Sequence, residues 1–246
     1  MTLKVKEKDV VVPGDVLAEG MDFLPGIGTI RQGDKIFAAR VGLANVDGRA
    51  IKLIPLTGQY LPKKGDTIIG CVFDLLLSGW RIDTNCAYQA VLNIKDATSD
   101  FVPKGADLTQ YFDVGDYLVA KISNVTTQKL VDLTLRGPGL RKLGPGRILK
   151  VSSPKVPRII GKKGSMVSMI KNATNTRIVV GQNGLIWIAG DDPKGEFVAV
   201  NTIRKIEQEA HIPGLTERIK AHLEKETGKK VEAVSERNDG EENGIQ

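Results

Sequence analysis

Apolar residues in the second half of the chain recur with helical spacing. Met166, Met169, Ile170 and Ala173 fall at i, i+3, i+4 and i+7, one face of a helix with Ser165 placed as its N-cap. Val200, Ile203, Ile206 and Ala210 mark a second helix, opened by Asp192-Pro193 in the N-cap and first-residue positions. Leu215, Ile219 and Leu223 mark a third. Between the first two helices the pattern turns β-rich, with runs at 176–180 and 185–189 around the turn Gly181-Gln182-Asn183-Gly184. Residues 147–151 supply a strand ahead of them. Pro154 and Pro157 leave room only for a short helix starting near Pro157. The predicted order is strand, helix, loop, helix, strand, strand, helix.

The first half reads as short strands separated by glycine turns. Residues 10–12 lead into Pro13-Gly14-Asp15, and 36–41 and 50–54 flank the turn around Asp47-Gly48. This predicts a small antiparallel β domain over residues 1–64, with interaction as its role and a structural preface as the alternative. Five β runs follow within 65–136, at 68–73, 80–83, 87–92, 117–122 and 130–135. They look like a five-stranded OB barrel, a fold that binds oligonucleotides on one strand face and its bordering loops. Residues 137–146 form a Gly/Pro-rich linker, and 147–226 hold the strand–helix unit with its last helix. Residues 227–246 are too poor in apolar side chains to offset their ordering entropy and are expected to be a disordered tail.

The loop of the strand–helix unit is Ile159-Ile160-Gly161-Lys162-Lys163-Gly164. Two glycines let the main chain turn tightly and approach a phosphate, and the following helix N-terminus favours an anion. With the element order above, this is the G-x-x-G signature of a type I KH domain, which clamps a single-stranded nucleic-acid backbone. The expected class is therefore mainly β with α+β: a small N-terminal β domain, a five-stranded OB barrel and a type I KH domain.

Charge sharpens that reading. The chain carries a formal net charge of +6, yet residues 133–190 contain eleven Lys or Arg and no Asp or Glu. A polyanion is the natural partner of such a window. Candidate RNA contacts are Gly161, Lys162, Lys163 and Gly164 in the loop, with Arg158 and Lys171 on the flanking helices. On the barrel they are Trp80, Arg81, Tyr88 and Lys121, where packing inside the barrel is the competing reading for the two aromatics. Few aromatic or amide readers are evident, so weak sequence selectivity is expected.

Other chemistry finds little support. No apolar run approaches the roughly 18 residues of a membrane span, and the first residues lack an apolar signal core. Cys71 and Cys86 are too few for a disulfide framework or a four-cysteine zinc site, so no cofactor or metal is expected. Asp191-Asp192 is the sole adjacent acidic pair before the tail and reads as a helix cap, which argues against a metal-dependent nuclease.

The three-domain order resembles the RNA-binding cap subunit of the archaeal exosome, S1/KH type. Val11-Val12-Pro13-Gly14-Asp15, the stretch from Tyr60 to Gly70 (Tyr-Leu-Pro-Lys-Lys-Gly-Asp-Thr-Ile-Ile-Gly) and the G-x-N-G turn Gly181-Gln182-Asn183-Gly184 are similar to that family's signatures. The likeness spans about residues 8–210. It implies a non-catalytic, cytoplasmic subunit, three copies of which sit on a hexameric ring of RNase PH-like subunits, alone or beside the zinc-ribbon cap subunit in mixed caps. The N-terminal domain would dock to the ring, and single-stranded RNA would pass through the cap with its 3′ end entering the ring for degradation. It also implies a structural role for Gly181, Asn183 and Gly184 at the barrel–KH junction. One departure stands out: where many S1 barrels carry Phe-Gly-x-Phe and a later His, this chain has Ser78-Gly79-Trp80-Arg81 and no barrel His. That moves the expected binding towards charge. The competing reading is a free-standing S1/KH RNA-binding protein associated with translation or ribosomal RNA.

Overall fold

Short aliphatic runs broken by glycine turns give eight strands at the N-terminus of the structure, a computed structural model. They are β1 (Thr2–Leu3), β2 (Val10–Val11), β3 (Val16–Glu19), β4 (Leu24–Pro25), β5 (Thr29–Gln32), β6 (Lys35–Ala38), β7 (Gly42–Asp47) and β8 (Ala50–Pro55). The structure describes residues 2–98, 102–103, 105–210, 212 and 214–228. These divide into two units, Met1–Gln59 and Tyr60–Gln246.

In the first unit the strands form two four-stranded sheets, ordered β1-β3-β6-β5 and β2-β7-β8-β4. Leu17, Ala18, Ile36, Ala44 and Ile51 are completely buried between them. Along β7 and β8 buried positions alternate with half-buried ones, as the pleat of a strand with one face in the core requires. The strand facing β8 across the Asp47-Gly48 turn is Gly42–Asp47, with Asp47 opposite Ala50. It had been expected at 36–41. The chain bends at Arg40-Val41, and β6 lies in the other sheet beside β3 and β5.

The second unit begins with the barrel: β9 (Thr67–Leu76), β10 (Gly79–Asp83), β11 (Ala90–Asn93), β12 (Tyr117–Val125) and β13 (Val131–Thr134). β9 pairs with β10 and β12, β11 pairs with β10, and β13 closes the ring by pairing with both β11 and β12. The β11–β13 pair is parallel and the others antiparallel. Ile68, Val72, Trp80, Ile82, Leu92 and Leu118 fill the interior, all with zero exposure. The short helix α1 (Ile94–Ala97) follows β11. Within the expected linker, β14 (Arg141–Lys142) adds to the outer side of β12. That segment is thus anchored to the barrel instead of running free.

The KH unit contains β15 (Arg147–Lys150), α2 (Val156–Ile160), α3 (Ser165–Thr174), β16 (Thr176–Val180), β17 (Leu185–Gly190), α4 (Pro193–Glu209) and α5 (Leu215–Thr227). The sheet runs β15-β17-β16, all antiparallel. The five residues from Leu185 to Ala189 are all buried, because both faces of the sheet are covered. Ile186 and Ile188 face the helices with Met169, Ile170, Ile203 and Ile219. Leu185, Trp187 and Ala189 pack with Ile69, Val119 and Leu143 from the barrel side. The unbroken run Leu-Ile-Trp-Ile-Ala carries this two-sided burial in its composition.

Local details of α3 and α4 differ from expectation, whereas α2 is the short helix expected near Pro157. The N-cap of α3 is Gly164, and Ser165 is already helical at φ −58°, ψ −41°. On α4 the buried stripe is Ala199, Thr202, Ile203 and Ile206, with Val200 on its flank and Ala210 only half-buried. α2 starts at Val156, with Pro157 in its first turn where no backbone N–H is needed. Asp192 caps α4 as expected, its carboxylate accepting from the Lys194 N–H at 3.0 Å. Of the expected tail, residues 229–246 lie outside the described residues.

Candidate nucleic-acid interface

The G-x-x-G loop follows directly from the end of α2. Gly161 stops the helix at φ 75°, ψ 176°, and its own N–H donates to the Pro157 carbonyl at 3.0 Å. A Cβ there would lie 2.7 Å from the backbone nitrogen of Met166, so only glycine fits. Gly164 turns the chain again at φ 80°, ψ 9° and starts α3 with no side-chain cap on the first N–H groups. Between them Lys162 and Lys163 are exposed. Lys163 takes a left-handed backbone at φ 50°, ψ 30°, uncommon for a side-chain-bearing residue. Two cations thus stand beside an uncapped helix start, an arrangement that suits a phosphate.

Beside the loop lies a cleft of about 570 Å³, in the size range of small-ligand sites. Arg158, Gly161, Lys162 and Met166 line it from the loop side. The opposite wall comes from the first turn of α5, with Leu215 and Glu217. Arg158, Lys162 and Gly161 are therefore brought together. Lys171 is not: it lies in the last turn of α3, about 9 Å further along the helix axis from Ser165. There its charge suits the carbonyl end of the helix dipole. No local signal joins residue 215 to residue 161, so the α5 wall escapes sequence reasoning.

On the barrel the candidates separate. Trp80 is completely buried, and its Nε1–H donates to the Phe112 carbonyl at 2.9 Å. Its ring meets Phe112 edge-on, with centroids 5.1 Å apart. Trp80 therefore stacks on no RNA base; this corrects its place among the binding residues. The cause is strand alternation, which turns Trp80 and Ile82 inward and Arg81 and Asp83 outward. The order Trp-Arg-Ile-Asp already carried that period. Tyr88 is half-buried, with part of its side chain packed against the same core. Arg81 is exposed but lies 3.4 Å from the Asp74 carboxylate. Lys121 is exposed on β12, between Thr67 on β9 and Thr134 on β13.

Asn183 sits at the barrel–KH junction with 1% exposure. Its Oδ1 accepts from the Ile69 N–H at 3.3 Å, and its Nδ2 donates to the carbonyls of Ile69 at 2.7 Å and Thr84 at 2.8 Å. Pairing of β10 with β9 stops at Asp83 opposite Cys71, two residues short of Ile69. The Asn183 amide supplies the donor and acceptor that a longer strand would have given. Gly181 and Gly184 stand on either side where Ile69 N and Val151 O come too close for a Cβ. Among the described residues, no cluster of three or more His, Cys, Asp or Glu is placed to hold a metal ion, and no helix is long and apolar enough to cross a membrane.

Comparison with known proteins covers the same regions. The family model for the KH domain matches residues 146–194, and that for the exosome RNA binding protein RRP4 N-terminal domain matches residues 8–57. Exosome complex component Rrp4 of Pyrococcus furiosus is 41% identical over 222 residues, covering 89% of this chain and 84% of its own length. The same component of Methanothermus fervidus is 43% identical over 222 residues, covering 90% and 97%. A crystal structure of a protein assigned as an exosome complex RNA-binding protein has 35% identity and a TM-score of 0.63, covering 69% of this chain and 97% of that one. With a matching N-terminal domain, a matching KH domain and identity above 40% along nearly nine-tenths of its length, this chain belongs to the Rrp4 family of exosome complex components.

Proposed function

We propose that this chain is the non-catalytic RNA-binding cap subunit of an archaeal-type exosome in the cytoplasm. Single-stranded RNA is captured chiefly by charge at the Gly161–Gly164 loop. The cap then directs the 3′ end into an RNase PH-like ring, where phosphorolysis takes place. Three copies crown one hexameric ring, with the zinc-ribbon cap subunit substituting in mixed caps. Residues 1–64 act as the docking domain, 65–136 as the RNA-binding barrel and 147–226 as the KH domain, with 227–246 as a tail. The observation that carries this reading is the family relationship along 89% of the chain. The loop geometry supports the RNA-binding part.

Docking through the N-terminal unit gains support from its surface. Met21, Leu24, Ile27 and Ile30 are 73%, 59%, 65% and 58% exposed within ten residues. Such an apolar group on a small domain marks an interaction site. The test is affinity purification of the full chain from its native cell under nuclease treatment, followed by mass spectrometry. Recovery of RNase PH-like subunits in equal amounts is expected. Recovery of ribosomal proteins, or of this chain alone, would overturn the cap reading in favour of a free-standing RNA-binding protein.

A further inference from the structure

We propose that the cleft between the Gly161–Gly164 loop and the start of α5 is a base-reading subsite for one nucleotide of the bound RNA strand, with Glu217 as the reader. The inference rests on the RNA-binding reading of the loop and extends it to specificity.

The cleft has the build of a nucleotide site. Its floor is apolar: Met166 and Leu215 are buried, and Ile212, 42% exposed, stands on the rim. Such surfaces suit a base face, which gains from stacking on flat or apolar groups. Its polar groups are segregated by charge. Arg158 and Lys162 line the loop side, where the phosphate is held. Thr216 and Glu217 line the α5 side. A carboxylate repels a phosphate, but its two oxygens accept hydrogen bonds and donate none. From a bound RNA strand it can therefore accept the N–H edge of a base or the ribose 2′-hydroxyl, and of these only the base differs between nucleotides. A Cβ built on Gly214 would lie 3.6 Å from Glu217 Oε2, so the carboxylate lies by the start of α5, where the helix dipole favours it.

The bases differ in what they offer a carboxylate. Guanine presents two adjacent donors, N1–H and N2–H, matching both oxygens. Cytosine and adenine present one amino group each. Uracil presents one ring N–H between two carbonyls, which the carboxylate repels. The expected order is guanine first and uracil last. The weak selectivity expected from the sequence thus gives way to a preference at one position of the strand.

The test uses the full chain and fluorescence anisotropy with two probes: oligo(U), and the same strand with guanine at alternate positions. The guanine-bearing strand should bind at least about fivefold tighter, the low end of what a bidentate base contact provides. Glu217→Gln should remove that difference by weakening the guanine-bearing strand, while oligo(U) binds no more weakly than before. Thr216→Trp, at an exposed position, should fill the cleft and weaken both strands, with circular dichroism confirming the fold. If Glu217→Gln tightens both strands equally, Glu217 is only a repelling charge and the proposal falls. It falls too if Thr216→Trp changes nothing while Lys162→Asp with Lys163→Asp abolishes binding, and in that case the loop reading stands. If the double lysine variant binds as wild type, the RNA-binding reading of the loop fails along with it.

Discussion

Lys163 holds its charge on a left-handed backbone, and Lys162 and Lys163 stand exposed between two glycines. Each phosphate contact on a single strand contributes about 0.7 to the slope of log K against log salt. Lys162→Asp with Lys163→Asp is therefore expected to weaken RNA binding strongly and to flatten that slope, measured by titrations at several salt concentrations. An unchanged slope would remove the loop from the site. Trp80 illustrates the opposite case, an aromatic with a structural task. Trp80→Phe leaves the buried Phe112 carbonyl without its donor, at a cost of about 1–3 kcal/mol in urea denaturation. RNA affinity of the folded protein should not change. A loss of affinity at unchanged stability would return the ring to a binding role.

Among elements, the junction of β9 with the β16–β17 turn decides how barrel and KH unit behave. Asn183→Ala would leave the Ile69 N–H, the Ile69 carbonyl and the Thr84 carbonyl short of a partner in a buried place. The expected loss is about 2–4 kcal/mol, seen in calorimetry as splitting of one transition for residues 60–246 into two. A single transition at the wild-type temperature would mean that apolar packing of Trp187 against Ile69 and Val119 suffices alone. Helix α5 carries a second such dependence. His222 Nε2 is buried with no hydrogen-bond partner among the described residues. Burial first, and then Lys205 on α4, push its pKa below the ordinary 6.5; Lys225 on α5 acts in the same direction, and Glu226 on α5 and Glu209 on α4 oppose them. The unfolded chain therefore takes up this proton first as pH falls, so the stability tied to neutral His222 is present above about pH 6.5 and is lost below it. His222→Leu should reduce the acid-side fall in melting temperature. An identical pH profile would show that α5 docks without regard to this group.

On the largest scale, the features that support the proposed docking and RNA-binding roles fall in different units. Residues 60–246 contain the barrel, the KH unit, the G-x-x-G loop and the acid-free window of 133–190, whereas the exposed apolar group at Met21–Ile30 belongs to the first unit. A chain starting at residue 60 should therefore bind RNA with wild-type affinity and fail to co-purify with ring subunits. Loss of RNA binding by the truncated chain would place part of the RNA site in the first unit.

The part of this fold that is encoded locally was legible in the chain. Helical stripes, β runs, the G-x-x-G turn and the charge window each lie within a few dozen consecutive residues, and they gave the three-domain order, the KH topology and the loop as the candidate site. The barrel strands were likewise legible, because their period-2 runs are bounded by glycine turns. Long-range packing alone settled that β14 joins the barrel, which backbone groups Asn183 bonds, and that α5 walls a cleft beside the loop. Those depend on pairings such as Ile69 with Asn183 and the Gly161 region with Glu217, far apart in the chain. A residue's own pattern reports whether it will be buried. It does not report against which distant element, and that is settled by how the folded surfaces fit.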